Sequence, residues 1–132
     1  MSKKQTKKLI KEDAKTFTDL ANYDKGVRKF ETGATRNVDT NKYDYEGFLS
    51  PIMLEAFGRY MHKHRIQADG TLRDSDNWQK GMPRDQYMKS AWRHFFSWWK
   101  AHRGYKTEED IEDSICALIF NAQGYLHKSN QL

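Results

Sequence analysis

Five apolar residues, Ile111, Ile115, Leu118, Ala122 and Tyr125, recur at steps of four, three, four and three. Only an α-helix puts such a series on one face; a strand would scatter it over two. The spacing predicts a helix that buries this stripe and leaves the opposite edge to polar groups. Thr107-Glu108-Glu109-Asp110 just before it resembles a capping box, and its acids complement the positive end of the helix dipole. Two further helices are predicted. One opens at Ser50-Pro51 and carries Met53, Phe57, Tyr60, Met61 and His64 to an end near Arg65. The other runs from Arg84 to His102, with Tyr87, Ala91, Phe95, Trp98 and Trp99 on its apolar side and Gly104 as its stop. Helices with short connections pack antiparallel, so the expected fold class is all-α, a compact bundle of three main helices.

The rest of the chain reads as connection. Residues 1–25 have weak helical periodicity through Leu9, Ile10, Phe17 and Leu20 and are expected to form a mobile arm. Residues 26–47 are rich in Gly, Thr, Asn and Asp and read as an ordered loop, so that 26–132 form a single helical domain behind the arm. The net charge of +5 resides in the arm and the few residues that follow it: residues 1–29 hold nine Lys or Arg and four Asp or Glu, and the remainder holds fourteen of each. Phosphate neutralisation by Lys3, Lys4, Lys7, Lys8, Lys11 and Lys15 is one use of such an arm, and a solvated tail is the plainer one. Nucleic acid is thus a partner only through the arm. No apolar run approaches the ~20 residues of a membrane span, which predicts no membrane partner. The one cysteine, Cys116, lies among Ile115, Leu118 and Ile119, as a reduced, buried thiol in the cytoplasm would.

Three polar groupings can carry chemistry. Glu109, Glu112 and Asp113 stand at i, i+3 and i+4 of the expected last helix, a spacing that can hold a hard divalent cation; a solvated acidic helix start reads the same. Asn121 continues that edge. Asp74, Asp76 and Asn77, followed by Trp78 and Lys80, offer oxygen ligands, an aromatic face and a cation, although Asp and Asn also make turns. Arg93 and His94 interrupt an aromatic helix and need solvent, a carboxylate or a phosphate as partner. No glycine-rich phosphate loop, Gly-x-Ser-x-Gly or Cys-x-x-Cys pattern is present.

These residues in their order, Arg28, Phe30, Thr32-Gly33-Ala34, Arg36, Leu49-Ser50-Pro51, Asn77-Trp78-Gln79-Lys80-Gly81-Met82-Pro83, Arg93-His94, Glu112-Asp113 and Asn121, resemble the phage dATP/dGTP diphosphohydrolase N-terminal domain family over residues 27–127. That family is similar to the all-α MazG-like nucleoside triphosphate pyrophosphohydrolases. The resemblance implies a phage protein in the host cytoplasm, a homo-oligomer, that releases pyrophosphate from purine (deoxy)nucleotides with Mg²⁺ or Mn²⁺. It implies Glu112, Asp113 and His94 as catalytic, and Glu109, Glu112, Asp113 and Glu55 as metal-binding. Asn77, Trp78, Lys80, Arg93 and Asn121 would bind the substrate. The chain departs from the family pattern where Arg59 and Lys63 replace acids of the first helix and Ser114 and Ala117 replace histidines. Those departures support an alternative: a non-catalytic relative, binding a nucleotide or host protein, that has lost metal ligands.

Overall fold

The computed structural model describes Lys3 and residues 26–131. Apart from Lys3, the expected basic arm lies outside the described residues. The chain divides into two compact units, Met1–Phe48 and Leu49–Leu132. In the first, strands β1 (Val27–Lys29) and β2 (Thr35–Asn37) pair antiparallel with Arg28 opposite Arg36, and a single-turn helix, α1 (Tyr45–Phe48), follows. The stretch read as a loop is therefore a short hairpin. Three-residue strands are too brief to leave an alternation in sequence, and the Thr32-Gly33 turn masks what there is. Within this unit Arg28 pairs with Asp39 at 3.0 Å and its guanidinium lies 5.6 Å from the Phe30 ring centroid.

The second unit is mostly helical, with α2 (Pro51–Lys63), α3 (Arg84–His102) and α4 (Ile111–Ser129). Ser50 caps α2 by accepting from the Met53 amide at 3.1 Å, with Pro51 at the first position, as expected. Helix α3 stops where Gly104 adopts φ 84°: its amide donates to Ala101 and the Tyr105 amide reaches back to Lys100, the six-to-one closure that a left-handed residue permits.

Helix α4 starts later than the acidic run predicts. Its cap is Asp110, whose Oδ1 accepts from the Asp113 amide at 2.7 Å, while Thr107 Oγ1 donates to the Glu109 carbonyl instead of capping. The outcome matters for the site, because Glu109 falls before the helix and does not share a face with Glu112 and Asp113.

The buried face of α4 also differs from the expected stripe. Ser114, Cys116, Ala117, Asn121 and Gly124 are buried, whereas Ile111 and Ala122 are exposed. Small side chains let α3 come close along most of the length of α4, and α2 packs along a shorter line of the same helix. At Gly124 the fit is tightest: a Cβ there would stand 2.7 Å from Cζ of the fully buried Tyr87. Asn121 satisfies its buried amide through the Ala117 carbonyl at 2.8 Å and Ser90 Oγ at 3.2 Å. Among the described residues no helix is long and apolar enough to cross a membrane.

Candidate functional site

The connection between α2 and α3 builds the site. After α2 the chain forms a miniature hairpin: Ile66 bridges Leu72, the Gln67 amide donates to Thr71 and the Arg73 amide to Arg65, about a turn at Asp69-Gly70 where Gly70 has φ 83°. The Asp69 carboxylate accepts from the Thr71 hydroxyl and amide, bonds that stabilise its charge and hold its pKa down. This turn sets Arg65 and Arg73 side by side. Arg65 Nε donates to the Arg73 carbonyl at 2.8 Å, and neither guanidinium has an ion-pair partner among the described residues.

The chain then runs through Asp74 into a 3-10 turn, Asn77–Lys80, that carries Trp78 back to α4. Its indole lies edge-on to His127, with ring centroids 4.8 Å apart. Two bonds fix the segment that follows: Tyr87 Oη accepts from the Met82 amide at 3.1 Å, and Lys128 Nζ donates to the Met82 carbonyl at 2.8 Å. Together α2, the hairpin, the 3-10 turn and α4 enclose an open cleft of about 400 Å³, lined by Tyr60, Met61, His64, Arg65, Arg73, Asn77, Trp78 and Phe120 among others. That volume suits a small ligand, and the lining combines aromatic and thioether side chains with two arginines and the Asp74 carboxylate.

The acidic turn of α4 forms a separate, ion-paired cluster. Glu112 Oε1 accepts from Arg59 at 2.9 Å, and Asp113 Oδ1 from Lys63 at 2.5 Å. Glu55 accepts from the same Arg59 at 3.0 Å. These hydrogen bonds, followed by the charges of the carboxylates, raise the pKa of Arg59 and Lys63. Glu109 turns the other way and accepts from the Ser114 hydroxyl at 3.0 Å, with His94 Nδ1 2.8 Å from the same oxygen. Burial first, and then the charges of Glu109 and Asp113, push Tyr60 up to about 12, so its hydroxyl stays protonated. Cys116 is a buried thiol as expected, its pKa raised chiefly by that burial.

The structure thus sorts the expected site residues into two groups. Glu55, Glu109, Glu112, Asp113 and His94 gather around the start of α4, whereas Asn77 and Trp78 line the cleft. Lys80 is exposed beside a smaller pocket shared with Trp78 and His127. Arg93 is exposed on α3 and forms no ion pair among the described residues, and Asn121 is a packing residue between α3 and α4. In this structure the carboxylates of the acidic turn are engaged by basic side chains. Among the described residues no three His, Cys, Asp or Glu side chains converge as a metal site, and a cation there would have to displace Arg59 and Lys63 from their carboxylates.

The sequence reading missed Arg65, Arg73, His64 and Phe120. A signal existed for the arginines, since Asp69-Gly70 flanked by Ile66 and Leu72 marks a tight turn whose arms bring residues 65 and 73 together. Comparison with protein-family models, with curated proteins and with solved structures finds no match to this chain.

Proposed function

We propose that this chain binds a purine (deoxy)nucleotide in the cleft and is a non-catalytic counterpart of the MazG-like pyrophosphohydrolases that its motifs resemble. The supporting observation is the cleft itself, which combines the Trp78 and Phe120 rings with two guanidinium groups that form no ion pair among the described residues, Asp74 being the one carboxylate in the lining. A base meets the aromatic wall. The phosphates meet Arg65 and Arg73, whose planar forks suit bidentate contact with anionic oxygens. In the phage setting that the resemblance implies, such a protein would sequester nucleotides in the host cytoplasm.

The ion pairs of the acidic turn favour binding over hydrolysis. In a pyrophosphohydrolase, carboxylates hold the cation that activates water; here Glu112 and Asp113 face Arg59 and Lys63. The hydrolase reading, with Mg²⁺ or Mn²⁺ on those acids, requires both cations to move aside.

Titration calorimetry with each of the four dNTPs, alongside a pyrophosphate assay in Mn²⁺, tests the proposal. The expected result is heat of binding for dATP and dGTP without pyrophosphate release. Trp78→Ala and Arg73→Ala should each weaken binding by about tenfold or more. Absence of binding by every nucleotide would refute the cleft as a nucleotide site. Pyrophosphate release that Asp113→Asn abolishes would instead establish the hydrolase.

A further inference from the structure

Helix α3 has two apolar faces, and the unit uses only one of them. Tyr87 is buried and Ser90, His94 and Trp98 are partly covered on the side toward α4, whereas Trp92, Phe95, Phe96 and Trp99 are 66%, 43%, 51% and 48% exposed. The exposed four stand at i, i+3, i+4 and i+7, one continuous stripe, and line an apolar depression of about 310 Å³ that contains no other residue. Within the stripe Trp92 meets Phe95 and Phe96 meets Trp99 edge-on, with centroids 6.3 and 5.9 Å apart, which shapes ridges and hollows of side-chain size.

We propose that this stripe packs antiparallel against the same stripe of a second copy of the chain. Two observations identify the occupant. The first is area. At about 150–250 Å² for each aromatic side chain, the exposed parts amount to roughly 400 Å² per chain, so two copies withdraw about 800 Å² from water through these four residues alone. Met88, 47% exposed at one end of the stripe, and the aliphatic stems around it extend the contact toward the ~1,200 Å² at which specific dimers begin.

The second observation is charge. Asp85 lies seven residues before Trp92 and Arg103 four after Trp99, which places them at opposite ends of the same stripe. Neither has an ion-pair partner within the chain among the described residues; Arg103 rests over Trp99, 5.6 Å from the ring centroid. A two-fold axis through the middle of α3 brings Asp85 of one copy to Arg103 of the other, twice, and opposes the two helix dipoles. A parallel pair would set like charges together.

The need for a partner is visible in the unit's layering as well. Helix α4 is flanked by α3 and α2, which meet each other marginally at most, so the three helices make one open layer where a stable domain has at least two. A second copy supplies the missing layer over α3.

Sedimentation velocity of the full chain across micromolar concentrations tests the proposal. The wild type should be a dimer, and Trp92→Glu with Phe96→Glu should be monomeric with unchanged helical circular dichroism. Since that pair of changes can also compromise folding, a charge reversal provides an independent readout. Asp85→Arg alone and Arg103→Asp alone should each weaken the dimer about tenfold or more, and the two together should restore it. A wild type that remains monomeric overturns the proposal, including one that retains single-stranded DNA through the neighbouring Lys89, Arg93 and Lys100. Failure of the double reversal to restore association overturns the antiparallel arrangement.

Discussion

His64 reaches solvent at one edge while its ring lies against Tyr60, centroids 4.2 Å apart, and this partial burial, aided by Lys63, Arg73 and His94, holds its pKa below 6.5 despite the opposing charge of Asp113. The unfolded chain therefore binds the His64 proton more readily than the folded one. Stability from this group is complete above pH 6.5 and falls as pH drops toward the folded pKa. Urea midpoints at pH 7.5 and 5.5 should show that loss in the wild type and a smaller one in His64→Gln; equal losses would remove His64 as the cause. Nearby, Arg59 and Lys63 determine what the acidic turn can bind. Arg59→Glu combined with Lys63→Glu should create a carboxylate cluster that takes up Mn²⁺, seen as loss of the free-ion electron paramagnetic resonance signal, where the wild type takes up none. Equal uptake by the wild type would show that its ion pairs open readily.

Helix α4 carries the contrast between an apolar pattern and the packing it serves. Its periodicity identified a helix, and Ser50-Pro51 and Gly104 marked the ends of its neighbours, because capping is local chemistry that sequence displays directly. The face it buries was not legible in the same way. Small residues such as Ser114, Ala117 and Gly124 do not stand out as hydrophobic, yet they decide where α3 can approach, and that is a property of two helices together. The same limit applied to Glu109, whose helical register depended on which of two adjacent acidic residues became the cap. Gly124→Ala tests the close approach. The added methyl meets the buried Tyr87 ring, so that one of the two must shift, and should destabilise the unit by about 1–3 kcal/mol in urea titration. A change under about 0.5 kcal/mol would mean that α3 and α4 separate more easily than the contact implies.

Across the whole molecule the most telling property is how little apolar surface the described residues hide. Among the described hydrophobic residues only Tyr87, Cys116 and Ala117 are buried, and the large exposed ones include Trp92, Phe96 and Trp99. The aromatic residues expected on the apolar sides of the three helices are on those helices. What sequence could not reveal is that α3 turns four of its six aromatic residues outward, since a second apolar face reads like more of the first. If association completes the fold, the thermal midpoint should rise with protein concentration in differential scanning calorimetry, whereas a self-sufficient monomer has a midpoint independent of it.

The tether at Met82 couples the cleft to the far end of the last helix. Its amide is held by Tyr87 and its carbonyl by Lys128, while the Trp78 indole rests on His127, so one wall of the cavity hangs from the final turn of α4. Terminal turns are the first part of a helix to fray. Each such excursion loosens the indole, and a guest stacked on Trp78 would hold that turn wound; order at the helix tip and occupancy of the cavity therefore rise and fall together.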